Sequence, residues 1–230
     1  MADPVSRCLM LDWLSRFMAW VKRIFFVSGT DTAVGKTVLT VLMTRYLRSR
    51  GINAAALKPI CSGGRADARA MARANDGLLS LNQINPWRFK RPIAPALAAR
   101  LEGICLNLPT VAARAKAIQR RFDILFIEGA GGLLSPLGRN FNSRDLIARL
   151  DAVPIIAAPN RLGVVNHVLL TLEALPLKFR ARARVVLLSF GKADASRNSN
   201  QNLIAEFFDR KRIFSAADPD FAAALFEPLL

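Results

Sequence analysis

The residues best equipped for chemistry are Gly29-Thr30-Asp31-Thr32-Ala33-Val34-Gly35-Lys36-Thr37. An apolar run, Ile24 to Val27, leads into them and a helical pattern follows at once. In that setting, backbone N–H groups between the two glycines wrap anionic oxygens, and the helix N-terminus adds positive potential. Lys36 reaches the terminal phosphates of a nucleotide, and Thr37 offers a hydroxyl to Mg²⁺. Gly29 through Thr37 are therefore the candidate nucleotide-binding residues. A Gly-Lys-Thr tripeptide alone would fit any helix start; the preceding strand and the paired glycines make it a phosphate loop. The strict pattern has four residues between its glycines, whereas this loop has five.

Two further segments carry charge to strand ends. Ile124 to Ile127 runs into Glu128-Gly129-Ala130-Gly131-Gly132. A carboxylate there is placed to ligate Mg²⁺, and the glycines let backbone N–H groups approach an anion closely. Ala54 to Leu57 runs into Lys58-Pro59-Ile60-Cys61-Ser62-Gly63, which brings a second ammonium group toward the phosphates. Asp67, nine residues beyond Lys58, is within reach of the same metal. Together these groups describe phosphoryl transfer from a magnesium nucleotide to something small and anionic. Composition and spacing do not name the acceptor.

The elements that must position these residues follow from hydrophobic patterning. Besides the three strands above, Val153 to Ala157 and Val185 to Leu188 form short apolar runs bounded by charge, Gly or Pro. Runs apolar on both faces suit a parallel sheet covered by helices on each side. Between them, Lys36 to Arg50 reads as a helix with Gly51 at its C-terminal cap. Thr110 to Arg121 and Ser143 to Leu150 read likewise, the latter with Ser143 as N-cap. The expected fold is a single-domain, doubly wound α/β sheet, mostly parallel, with helices on both faces and ligands at the carboxyl ends of the strands. The three prolines in Asn85 to Pro95 mark an ordered excursion rather than a domain boundary.

A chain of 230 residues with 52% hydrophobic content can bury its own core. Cys8, Cys61 and Cys105 are widely spaced, odd in number and without metal-ligand spacing, which argues against disulfides and zinc and for a reducing cytoplasm. The formal net charge of +16 raises nucleic acid, acidic membrane surfaces and anionic substrates as partners. The basic residues are scattered, however, with no long basic block or RNP-type aromatic motif, so no nucleic-acid partner is expected. Residues 1–22 alternate Leu9, Leu11, Trp13, Leu14, Phe17 and Trp20 with Asp12, Arg16 and Lys22, an amphipathic helix pattern. They lack the features of a signal peptide and are too short and charged to span a bilayer. Two readings stand: a helix lying on the domain or a membrane surface, or an extension upstream of a start at Met18. The working domain is 23–230, and no membrane partner is expected for it.

Five blocks in order, GTDTAVGKT, KPICSG, NPWRFKRPIAP, EGAGGLLSPL and RLGVVNHVLLT, closely resemble the dethiobiotin synthetase family. The match covers roughly Ile24 to Leu175. The resemblance implies a homodimeric cyclo-ligase of biotin biosynthesis that uses ATP, Mg²⁺ and CO2 to close a ureido ring on 7,8-diaminononanoate. It implies that Lys36 and Lys58 are catalytic, holding the transferred phosphate and a carbamate, and that Thr37, Asp67 and Glu128 organise the metal. Thr32, Ser62 and Gly131 would orient the carbamate. Leu162, Gly163 and Asn166 would meet the substrate's distal carboxylate across the dimer interface. His167, the chain's single histidine, reads on its own as a packed or surface residue.

Several positions depart from the family pattern. Ala33 stands where some members carry an acidic residue, and Ala94 and Ala96 replace polar residues near the substrate. Ser189-Phe190-Gly191 follows the last recognised strand where some members have an Asn that reads adenine. Base-binding residues are not recognisable in Ile213 to Leu230, so discrimination among nucleoside triphosphates is expected to be reduced. Three other readings share part of this pattern. Corrin-amidating ligases usually carry a glutaminase domain for which this chain is too short. A chromosome-partitioning ATPase switch normally has a KGG-type loop. A degenerate paralogue would bind nucleotide without turnover.

Overall fold

The computed structural model describes residues 23–190 and 194–227. The N-terminal extension, Cys8 and the final residues of the chain lie outside them, as does Gly191. Among the described residues are ten strands and ten α-helices. The first strand β1 (Arg23–Gly29) leads to helix α1 (Lys36–Ser49) and β2 (Ala54–Leu57). Then come β3 (Ile60–Ser62), α2 (Ala66–Ala74), α3 (Leu81–Ile84), β4 (Trp87–Phe89), α4 (Pro95–Leu101) and α5 (Leu108–Gln119). The middle of the chain supplies β5 (Ile124–Glu128), β6 (Pro136–Gly138), β7 (Phe141–Asn142), α6 (Ser143–Leu150) and β8 (Val153–Pro159). Helices α7 (Val164–Glu173) and α8 (Leu177–Arg180) precede β9 (Arg184–Leu188). Helix α9 (Asn200–Ala205), a 3-10 turn at Arg210–Arg212, β10 (Ile213–Ser215) and α10 (Phe221–Phe226) complete the described residues.

Six strands form one sheet in the order β10-β9-β8-β1-β5-β2, all parallel. Such a sheet is buried on both faces, and the sequences obey: β1 is apolar from Ile24 to Val27, and all of β2 and β5 is buried. Alternation along β1 feeds two cores. Phe25 packs with Phe126 against Phe226 of α10, whose ring also stacks on Tyr46 of α1 at 6.5 Å. Phe26 faces the other way, into a small space shared with Leu137 and Leu146 of α6. The chain leaves β1 toward β2 on one side and later returns past it to β8 on the other. Loops therefore diverge above β1, where open α/β sheets bind ligands.

The expected doubly wound α/β architecture is the one observed, with two small additions. β3 and β4 pair in parallel beside the main sheet, and β6 and β7 make an antiparallel hairpin. β4 lies inside the proline-rich excursion, which is thus ordered as expected. Two helix starts need correction. Asn142, not Ser143, caps α6: its side chain accepts from Asp145 N while Asn142 N donates to Asp145 Oδ2, a reciprocal capping box. Ser143 is the first helical residue and is buried. Helix α5 begins at Leu108 rather than Thr110, because Asn107 accepts from Thr110 N and Pro109 is tolerated in the first turn.

Candidate active site

The phosphate loop is built by two backbone reversals. Ala33 and Gly35 adopt positive φ values of 55° and 92°, which turn the chain back so that α1 starts directly above the end of β1. A Cβ at Gly35 would come within 2.6 Å of the Phe190 ring, and one at Gly29 within 2.6 Å of Val34 and 3.2 Å of Lys36 Nζ. Both positions accept only glycine without displacement of a neighbour. Lys36 is 6% exposed and its ammonium donates to Asp31 O at 2.6 Å. Burial pulls its pKa down to about 8, with Glu128 opposing the shift. Asp31 in turn accepts from Thr32 N at 2.6 Å, so the loop is closed by its own polar groups.

Sheet order explains how the distant charged residues meet. β5 lies between β1 and β2, with Val27 opposite Glu128 and Leu57 opposite Ile127. Glu128 therefore sits between the phosphate loop and Lys58. Its side chain is buried, and Oε1 accepts from Lys58 Nζ at 2.5 Å and from Thr37 Oγ1 at 2.8 Å. Lys58 also donates to Asp67 Oδ2 at 2.6 Å. Burial would lower the Lys58 pKa, but Glu128 and Asp67 together outweigh it and hold the ammonium above its ordinary value. Asp67 is pushed up by partial burial and pulled further down by Lys58, so it stays ionised well into acid.

Asn85 fixes the turn that presents Lys58. It is wholly buried, donates from Nδ2 to Lys58 O at 2.8 Å, and accepts from Cys61 Sγ at 3.1 Å. The same turn is held by Lys58 N donating to Ile84 O. Sequence reading passed over this residue; its one signal was its place at the head of the Asn-Pro-Trp block. Phe190, half-exposed at the end of β9, was noted only as a departure, yet its ring abuts the phosphate loop at Gly35.

A cleft of about 390 Å³ opens among these groups and brings together Thr32, Ala33, Gly35, Lys36, Thr37, Lys58, Ser62, Asp67, Glu128 and Gly131. Gly29 and Val34 support the loop from beneath. Thr30 and Asp31 instead border a neighbouring cleft of about 330 Å³ with Leu134 and His167. Leu162, Gly163 and Asn166 stand apart, exposed at the start of α7 and lining neither cleft; Leu162 is 81% exposed. His167 is exposed on α7, as a surface residue.

The donor set suits Mg²⁺. Thr37, Asp67 and Glu128 offer hard oxygens only, and Glu128 Oε2 is buried with no hydrogen-bond partner, a lone-pair acceptor that a cation would satisfy. Among the described residues no cluster of three His, Cys, Asp or Glu forms a metal cage. Two ammonium groups, a loop of backbone N–H donors and paired carboxylates can position a triphosphate and stabilise charge on a transferring phosphoryl group.

A parallel sheet whose central strand enters this loop defines a P-loop nucleotide-using protein. A family model described as an AAA domain matches residues 23–215. The fold is shared with a ParA family ATPase from Chlorobium tepidum TLS, at TM-score 0.52 and 14% identity over 90% of each chain. It is shared equally with the hydrogenase maturation factor HypB from Archaeoglobus fulgidus, at TM-score 0.51 and 14% identity over 92% of this chain and 90% of that one. Sequence relatives are closer. The ATP-dependent dethiobiotin synthetase of Anaeromyxobacter dehalogenans (strain 2CP-1) is 41% identical over 176 residues, 75% of this chain and 79% of that protein. The ATP-dependent dethiobiotin synthetase of Akkermansia muciniphila is 34% identical over 188 residues, 81% of this chain and 88% of that protein. This chain belongs to the dethiobiotin synthetase family of ligases.

Proposed function

We propose that the protein converts 7,8-diaminononanoate, CO2 and ATP into dethiobiotin, ADP and phosphate. The observation that carries the reading is the buried Glu128 carboxylate between Thr37 of the phosphate loop and Lys58. It occurs in a chain 41% identical to a dethiobiotin synthetase. One substrate amine adds to CO2 and loses a proton, giving a carbamate. A carbamate oxygen then attacks the γ-phosphorus of ATP, ADP leaves, and a carbamic-phosphoric anhydride remains. The second amine attacks the carbonyl carbon, phosphate departs, and the ureido ring closes.

Lys36 and the loop N–H groups hold the triphosphate, while Lys58 bridges toward the carbamate and the phosphoryl oxygens. Thr32, Ser62 and Gly131 orient the carbamate from the other walls of the cleft. Thr37, Asp67 and Glu128 would hold Mg²⁺, which when bound would supply charge neutralisation at the phosphates. Leu162, Gly163 and Asn166 reach the distal carboxylate of substrate bound to a second copy in a homodimer; their exposure in one chain supports that assignment. Phe190 offers a flat apolar surface to the nucleobase and no amide to read its edge, which supports relaxed base selection. No helix among the described residues is long and apolar enough to cross a membrane, and we assign the enzyme to the cytoplasm.

Incubation with isotopically labelled bicarbonate, ATP and the diamine tests the reading. One labelled carbon should appear in a product of dethiobiotin mass. Hydrolysis of ATP with all label left in bicarbonate would reject it and favour a nucleotide-binding paralogue.

A further inference from the structure

Lys58 does more than face the reaction: it bridges one oxygen of each carboxylate that a metal needs, Glu128 Oε1 and Asp67 Oδ2, and leaves Glu128 Oε2 unpartnered. Its ammonium lies 2.5 Å from Glu128 Oε1 and 2.6 Å from Asp67 Oδ2. Thr37 Oγ1, the third oxygen of the set, donates its proton to Glu128 at 2.8 Å, which turns its lone pairs toward the cleft and leaves Lys58 as the group that competes with a metal. Lys58 is 6% exposed and Glu128 1% exposed, so water screens this pair little. The surrounding charge closes the account. Lys36 and Lys58 provide two positive charges, and Glu128 and Asp67 two negative ones, with Asp31 at the exposed margin. A bare dication entering this balanced cleft would meet two buried ammonium groups, and to take both carboxylates it would have to displace Lys58 from between them. A dication that arrives on a triphosphate brings its own negative charge, which gives Lys36 and Lys58 new partners and releases the carboxylates.

We propose that Lys58 determines which form of the metal the site accepts: it excludes free divalent cations and admits metal as the nucleotide complex. The carboxylates are then pre-shaped for metal while Lys58 serves as their resident counter-cation. Arrival of the metal nucleotide transfers Lys58 from carboxylate to phosphoryl oxygen, so one event loads the metal and frees the lysine. The proposal rests on the metal-nucleotide reading of this cleft but is independent of the acceptor's identity.

The test uses Mn²⁺ as the probe, with the full chain, reading free Mn²⁺ by electron paramagnetic resonance and folding by a thermal melt. Wild-type protein should neither retain Mn²⁺ alone nor shift its melt. It should retain Mn²⁺ when a non-hydrolysable ATP analogue is added. Lys58→Met should bind Mn²⁺ without nucleotide at least about tenfold more tightly than wild type, with a melt that rises as Mn²⁺ is added. Lys58→Arg, which keeps the charge, should behave as wild type, and Asp67→Asn in the Lys58→Met background should abolish the gained site. Tight nucleotide-free Mn²⁺ binding by wild-type protein that Asp67→Asn removes would overturn the proposal, and this arm does not depend on how well Lys58→Met folds. So would a folded Lys58→Met protein with unchanged Mn²⁺ affinity. Neither result bears on whether dethiobiotin is the product.

Discussion

If Glu128 and Lys58 are the buried pair that organises the site, their substitutions must be strongly coupled in stability. Glu128→Gln keeps the shape and an acceptor oxygen but leaves Asp67 as the one charged partner in contact with Lys58, and Asp67 is roughly half-exposed. Breaking a buried pair by removing one member costs about 3–5 kcal/mol, and the remaining partner places this change near the low end, about 3 kcal/mol. Lys58→Met leaves a fully buried carboxylate with only Thr37, so about 4 kcal/mol is expected. The double substitution removes both charges together and should be no worse than the costlier single one. The resulting coupling is about 3 kcal/mol, far above the ~0.5 kcal/mol within which independent sites add. Urea unfolding of all four proteins at pH 7 with a chelator present measures it. For a chain of this size the Glu128→Gln loss corresponds to a Tm lowered by about 6–12 °C. Single costs that simply add would refute the pairing as the organiser of the site.

Three further outcomes follow from particular residues. Lys36, lowered to about pKa 8 by burial, is charged below that pH and neutral above it. Affinity for an ATP analogue should therefore fall by up to about tenfold per pH unit above 8, and Lys36→Arg should flatten the profile. Stability should move the opposite way: between about pH 8 and 10.5 the unfolded chain binds more protons at Lys36, so this group makes the protein more stable as pH rises. Gly35→Ala forces an alanine into a φ of 92° against the Phe190 ring, at about 2–4 kcal/mol, and Phe190→Ala in the same chain should recover the steric part alone. No recovery in the double variant would place the cost in backbone strain and the Leu188 contact at 3.0 Å rather than in the Phe190 ring. Finally, at least one triphosphate other than ATP should support more than about a tenth of the ATP rate, because stacking tolerates any base; uniform rates below that level would contradict a base site without edge readout.

How much of this was legible beforehand varied with how local the cause was. The five longest sheet strands stood out because each is an apolar run closed by charge, Gly or Pro, which is how doubly covered strands must look. β10 did not, since Ile213-Phe214-Ser215 is three residues long and owes its state to parallel pairing with β9. The cap of α6 was misplaced by one residue because Asn142 and Ser143 are both good cap formers; the Asp at position 145 was the deciding signal. In the site, Lys58 and Glu128 were expected from strand-end placement, Lys36 and Thr37 from the phosphate loop, and Asp67 from its spacing beyond Lys58; the structure brings all five to one cleft. That they share one site was expected, but the direct Lys58–Glu128 pair was not, because the two are 70 residues apart and meet only through the insertion of β5 between β1 and β2. Asn85 was silent for the same reason: a buried amide that holds a turn looks like any loop asparagine until the turn is folded around it.

The most direct measurement of the central claim is phosphate release from Mg-ATP and bicarbonate, with and without 7,8-diaminononanoate, with the product identified by mass. The account predicts release that depends on the diamine and matches dethiobiotin formed mole for mole. ATP binding with phosphate release indifferent to the diamine would leave the phosphate loop intact and contradict the ligase.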